Sequence, residues 1–205
     1  ALTLLRGAHS RVVATIVLVE PQHPGNVGAV ARVMSNFGCD ELLLVGGCEI
    51  NDDAKARAKA GRPLLETARR TASLKEALAE APVSVATSGI VPEGDHRWQR
   101  APHPIQELAG LLDGRQPALV FGRENHGLDR GELALCDLTI QVPTNPEHPV
   151  LNLSHAVGIV LYELFRNDVF LRPYRPDVIE RQEIDLLVER IMEAVRESRF
   201  AERDR

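Results

Sequence analysis

Three observations predict an α/β fold built on a mostly parallel sheet. Five short runs, Val12–Val19, Leu42–Val45, Val83–Ala86, Ala118–Phe121 and Leu138–Val142, read as strands, and Val12–Val19 is apolar on both alternating sets of positions, the pattern of a strand buried on both faces. Stretches with helical periodicity separate the runs, as parallel strands require for their crossovers. Several runs stop at turn residues: PQHPGN after Val19, Gly46-Gly47 after Val45 and Gly122 after Phe121.

The elements follow in chain order. Val12–Val19 (VVATIVLV) is the first strand, followed by a helix from about Val27 to Phe37 that Gly38 ends. Leu42–Val45 is the second strand. Residues 52–80 read as helix in two pieces, split around Gly61-Arg62-Pro63 because proline is best tolerated at a helix start. Val83–Ala86 is the third strand. Residues 88–104 hold three Pro, two Gly and the only Trp, and read as a long loop. A short helix over 105–112, strands over 118–121 and 138–142, and an apolar helix over 152–166 complete the domain. The linker LRPYRPD follows. Asp177 then stands as a helix cap with Glu180 three residues on, and Ile184, Leu187, Val188, Ile191 and Val195 recur at spacings of 3 and 4 as one apolar stripe. That stripe needs cover, from its own domain or from a partner.

At 205 residues the chain is long enough for one domain, or one with an appendage. Hydrophobic residues at 44% and charged residues at 26% are ordinary globular proportions. The net charge of −5 excludes a generally basic nucleic-acid coat protein but leaves room for a local basic patch. No apolar run is long enough to span a bilayer, so no membrane partner is expected. The opening ALTLLRGAHSR is short and broken by Arg6, unlike a signal peptide, and Ala at position 1 suggests a trimmed start. Three scattered cysteines with no CxxC suit a reducing cytoplasm and supply no zinc site; no metal is expected. GxGxxG, GxxxxGK[ST] and GxSxG are all missing.

Three segments carry chemistry. In the first, Glu20 to Arg32, Asn26 sits where a helix cap is expected, Arg32 lies six residues on, and Gly28, Ala29 and Ala31 between them would admit a close backbone or ligand. A capping Asn with a surface Arg is the plainer alternative. In the second, VFGRENHGL, a strand runs into a glycine turn at a carboxyl end of the sheet, where open α/β folds bind ligands, and Glu124 can accept bonds from a ligand or hold an Arg. A turn with solvated charges is its plainer reading. In the third, PTNPEHPVLNLSHAV, three prolines stiffen a loop before the helix that carries Asn152 in its first turn. A rigid strand-to-helix connection would look the same.

Together and in this order, VEPQHPGNVGAVARVMSNFGCDELLLVGG, VFGRENHGL and PTNPEHPVLNLSHAVGIVLYEL resemble the three motifs of SPOUT-class RNA ribose methyltransferases of the TrmH group, nearest to the tRNA cytidine/uridine 2′-O-methyltransferases. The likeness spans roughly residues 12–166. It implies a mostly parallel sheet with a C-terminal trefoil knot near residues 120–160. It also implies a methyltransferase domain over 1–170, with 171–205 left as linker and amphipathic helical extension, and an obligate homodimer. The implied cofactor is S-adenosylmethionine, held by Thr87, Ser88, Gly89, Gly122, Val142, Pro149, Val150 and Leu151, and the implied catalytic set is Asn26, Arg32, Glu124 and Asn152. The implied substrate is the ribose of a cytidine or uridine in a tRNA anticodon loop; ribosomal RNA, or a knotted RNA-binding protein without catalysis, are the alternatives. One departure is plain: Val150 replaces the family's usual Ser, which removes a hydroxyl but leaves the main chain able to bind cofactor.

Residues 55–70 sum to +5, with Lys55, Arg57, Lys59 and Arg62 at one end, and Arg97 and Arg100 flank Trp98. Charge beside an aromatic suits single-stranded nucleic acid, so these six basic residues are the expected RNA contacts. A guanidinium stays protonated to about pH 12 or above, so Arg32 is read as a phosphate and oxyanion ligand rather than a base.

Overall fold

The computed structural model describes residues 12–89, 102–168 and 181–197. The chain divides into two compact units, Ala1–Phe170 and Leu171–Arg205.

In the first unit, β1 (Thr15–Val19) leads to α1 (Pro24–Asn36) and β2 (Glu41–Val45). Then come α2 (Asp52–Ala58), a 3-10 turn (Lys59–Gly61), α3 (Arg62–Glu66), β3 (Arg69–Thr71), α4 (Leu74–Ala77) and β4 (Val83–Ser88). β5 (His103–Pro104) precedes a 3-10 turn (Ile105–Glu107), α5 (Leu108–Leu112) and β6 (Pro117–Phe121). α6 (Arg130–Leu135), β7 (Leu138–Gln141) and α7 (Leu153–Asp168) follow.

The seven strands form one sheet in the order β3-β2-β1-β6-β4-β7-β5, with every pairing parallel. The doubly apolar strand pattern has its cause here. Ile16 and Leu18 of β1 enter the core layer under α1 and α7, while Val17 and Val19 enter a second layer completed by Leu74, Leu78 and Leu128. β2 and β6 divide in the same way. Full burial of each such side chain favours folding by roughly 1.5–3 kcal/mol over leaving it exposed.

The structure corrects several expected boundaries. The first strand starts at Thr15, because Val12 gives its N–H to the Phe37 carbonyl at the end of α1 (3.0 Å) instead of to a neighbouring strand. The stretch 52–80 is not simply helical: Arg69–Thr71 pairs with Leu43–Val45 as an edge strand. The loop expected over 88–104 contains the two-residue β5, which pairs with β7. α6 begins at a capping box that the sequence analysis passed over, Asp129 with Glu132.

Helix α1 begins earlier than expected. Its cap is His23 and Pro24 opens its first turn, so Asn26 lies inside the helix and its side chain is free for other work. Gly28 and Ala31 of α1 are also already packed within the chain. A Cβ on Gly28 would stand 2.1 Å from the Ala54 carbonyl oxygen, so α2 rests its backbone directly on α1 there. The helix surface at Gly28 is thus closed to a second subunit or ligand.

In the second unit, α8 (Arg181–Glu197) exposes Leu187, Val188, Ile191 and Val195. The expected cap at Asp177 and Glu180 lies outside the described residues. Among the described residues no helix is long and apolar enough to cross a membrane.

Candidate active site

Parallel pairing puts the carboxyl ends of β1, β6, β4 and β7 on one edge of the sheet, and the site is built from the segments leaving that edge. The first is the start of α1. The second is a tight hairpin after β6, in which Arg123 and Gly127 pair backbone to backbone (N···O 2.9 and 3.2 Å). A Cβ on Gly122 would meet the Gly127 carbonyl carbon at 2.1 Å, so only glycine lets this hairpin close. The third is the proline-stiffened loop before α7, in which the Thr144 hydroxyl donates to the Pro149 carbonyl (3.0 Å).

Three of the four expected catalytic side chains meet. Glu124 accepts the Gln22 and His23 backbone N–H groups (2.9 and 3.2 Å) and the Asn26 side-chain amide (2.9 Å). Asn152 donates its amide to Asn26 Oδ1 (3.2 Å). Asn152 Oδ1 in turn accepts the Ser154 N–H and hydroxyl (3.0 and 2.9 Å), which satisfies the first turn of α7. Burial alone would raise the Glu124 pKa, but the bonds from Asn26, Gln22 and His23 outweigh it and hold the carboxyl below its usual range. Glu124 is therefore a fixed carboxylate at neutral pH. It orients the two amides and is a poor proton acceptor.

Arg32 stands apart. It is exposed on α1, and its side chain makes no hydrogen bond or ion pair among the described residues. The guanidinium is free to meet an anion from solvent.

Beside the cluster lies a cavity of about 490 Å³, inside the ~300–1,000 Å³ usual for small-ligand sites. All eight expected cofactor residues, Thr87, Ser88, Gly89, Gly122, Val142, Pro149, Val150 and Leu151, line it together with Glu124. Leu128, Leu133 and Leu153 give it apolar walls. Gly89 lies against the third segment, since a Cβ there would sit 3.5 Å from the Pro149 carbonyl oxygen. Val150 lines the cavity and is 63% exposed.

Two features escaped the sequence analysis. One is the pair of backbone amides at Gln22 and His23, which no side-chain pattern reveals. The other is Arg123, whose signal was an arginine at a strand end with acidic residues at 20 and 132. Its guanidinium takes Glu132 in a two-bond fork (both 2.9 Å) and Glu20 through Nε (2.8 Å).

The basic segment is less free than its composition suggests. Lys55 pairs with Asp52 (3.8 Å) and Arg57 with Asp53 (2.9 Å), partners just outside the window 55–70. Lys59 and Arg62 are exposed, and Arg62 Nε donates to the Lys55 carbonyl (2.9 Å). Arg97 and Arg100 lie outside the described residues.

Residues 14–162 match the family described as the SpoU rRNA Methylase family. The chain belongs to that family. This SpoU methylase is 39% identical over 161 residues to the tRNA (cytidine-2′-O-)-methyltransferase TrmJ of Methanocaldococcus jannaschii, covering 77% of this chain and 70% of that one. It is 40% identical over 153 residues to the enzyme of the same name from Sulfolobus acidocaldarius, covering 74% and 65%. The SpoU methylase thus spans about two thirds of the length of these relatives. Among solved structures, the TrmJ of Z. mobilis ZM4 superposes with a TM-score of 0.69 at 28% identity, covering 91% of this chain and 81% of that one.

Proposed function

We propose that this SpoU methylase transfers the methyl group of S-adenosylmethionine to a ribose 2′-hydroxyl of tRNA, at a cytidine or uridine of the anticodon loop. The observation that carries the reading is the junction of the Asn26–Glu124–Asn152 cluster with a cavity that every expected cofactor residue lines. The names of the two archaeal relatives support tRNA and cytidine.

The residues present fit the cofactor. The leucine walls suit an adenine ring, and residues 87–89 and 149–151 border the same space, where main-chain groups can recognise the cofactor without a hydroxyl at position 150. When bound, S-adenosylmethionine supplies an electrophilic methyl group. The chain must then hold the weakly nucleophilic 2′-hydroxyl in line, an alignment that contributes up to ~7–11 kcal/mol. Asn26 and Asn152, fixed by Glu124, are placed to orient the ribose. Arg32 is assigned to the adjacent phosphate and to the charge that develops on the ribose oxygen. Lys59 and Arg62 extend that positive surface, with Lys55, Arg57, Arg97 and Arg100 as further RNA contacts.

The reading includes the trefoil knot near 120–160, supported by the meeting of segments 87–89, 122–128 and 142–151 around one cavity. It includes residues 1–170 as the methyltransferase domain and 171–205 as linker and helical extension. It also includes a homodimer and a cytoplasmic setting. The dimer rests on α7, which exposes His155, Ile159, Tyr162 and Arg166 as one stripe.

Tritium-methyl transfer to tRNA and to ribosomal RNA, followed by mapping of the methylated ribose, tests the reading. Incorporation into tRNA at the anticodon loop is expected. Incorporation into ribosomal RNA alone, or none with either RNA, would overturn it.

A further inference from the structure

We propose that Arg123 is a positioning residue that acts through Glu124, as half of a crossed clamp between the loops leaving β1 and β6. The inference rests on the methyltransferase reading of the site. It adds a role for a side chain that borders the cavity but lies outside the Asn26–Glu124–Asn152 cluster.

The geometry is reciprocal. Arg123, on the β6 side, reaches across to Glu20 at the end of β1 through Nε (2.8 Å). Glu124, the next residue, accepts from Gln22 and His23 on the β1 side (2.9 and 3.2 Å). The two rungs cross the same gap with opposite polarity, so neither loop can shift without stretching both. Glu20 is itself held at φ +43, a left-handed conformation that favours glycine, as a turn under constraint would be.

Arg123 also locks the hairpin that carries Glu124. Its fork grips Glu132, whose carboxylate accepts the Asp129 N–H as well (2.8 Å), and its Nη1 touches the Gly127 carbonyl (3.4 Å). One planar side chain, 10% exposed, therefore joins the end of β1, the hairpin and the start of α6. A flexible ammonium cannot hold three such directions at once. Arg123 does not touch the Glu124 carboxylate: the hydrogen-bond donors to that group among the described residues are Gln22, His23 and Asn26.

The test has two arms. In the kinetic arm, Arg123→Met should lower kcat by about 10²-fold, the scale of a misplaced catalytic group, with a smaller change in the KM for tRNA. In a Glu124→Ala background the same substitution should cost nothing more, because the group it positions is already gone. Independent, multiplying losses would overturn the proposal. The second arm needs no activity: the Glu124 carboxyl is titrated by carbon-13 NMR in the wild type and in Glu132→Gln. Removing the negative charge of Glu132 would by electrostatics alone push the Glu124 titration down. Loosening the clamp weakens the donors to Glu124 and should push it up. A rise supports the proposal; a fall or no movement refutes it, whether or not the protein methylates tRNA. Glu132→Gln breaks the fork while leaving the Arg123 side chain and its bonds to Glu20 and Gly127 in place, so this arm also serves if Arg123→Met does not fold.

Discussion

Arg32 and the cysteines show at the residue scale how environment sets chemistry. Arg32 faces solvent with no partner among the described residues, as an anion ligand should. Arg32→Lys is expected to retain measurable methyl transfer, since a cation remains, and Arg32→Ala to lose ~10²–10³-fold or more in kcat. Cofactor affinity, followed by calorimetry, should change little in either, because Arg32 does not line the cavity. A break in the wild-type pH–rate profile that moves in Arg32→Lys would instead make Arg32 the base. The thiols give a second prediction. Burial pushes the Cys39 thiol up to about 12 and the Cys136 thiol up to about 11, so little reactive thiolate forms at neutral pH. In the native protein both should react with iodoacetamide far more slowly than in urea. Mass-spectrometric mapping of the labelled sites checks this.

At the scale of elements, two junctions hold the scaffold in register. Gly28 lets α2 lie on α1 with the Ala54 carbonyl in the space a side chain would fill. Gly28→Ala should therefore destabilise the protein by about 1–3 kcal/mol or more, the cost of overpacking, read from urea unfolding. The second junction joins β4 to the start of β7, where Asp137 accepts the Ser84 N–H and hydroxyl (2.8 and 2.7 Å). Those bonds hold the Asp137 carboxyl below its usual range against the opposing effect of burial. Its contribution is present above the unfolded carboxylate pKa of about 4 and is lost as pH falls through the lower native value. Urea unfolding between pH 3 and 7 should show stability rising with pH at the acid end. The rise should be shallower in Asp137→Asn.

The molecule as a whole poses the question of assembly. Ile159 and Tyr162 are 38% and 55% exposed on α7, while Val157, Val160 and Leu161 of the same helix are buried. One helix thus feeds the core with one face and leaves an apolar face outside. A two-fold dimer would place the same stripe on both chains. Sedimentation should show a dimer at micromolar concentration, and Tyr162→Asp with Ile159→Asp should yield a folded monomer. A wild-type monomer would exclude the proposed assembly. Saturating S-adenosylmethionine or S-adenosylhomocysteine should raise Tm, because a ligand bound only by the folded state stabilises it.

The α/β class and the central strands β1, β2 and β6 were legible because burial on both faces demands apolar residues at almost every position, a signal local to each run. The edge strand Arg69–Thr71 was not, since an exposed edge makes no such demand, and its three residues look like any polar turn. The grouping of Asn26, Glu124 and Asn152 was read from motif order and resemblance. Their contacts were not readable from spacing, because 98 and 126 residues separate the bonded partners. Local pattern even misled at Asn26, which looked like a cap until His23 and Pro24 proved to start the helix. The charge of 55–70 was overcounted for the same reason, as Asp52 and Asp53 answer two of its cations from the preceding turn. Composition and periodicity determine what each segment buries. Only the parallel packing of distant strands decides which loops share an edge, and so which polar groups can reach one another to fix Glu124 as a charged, oriented carboxylate.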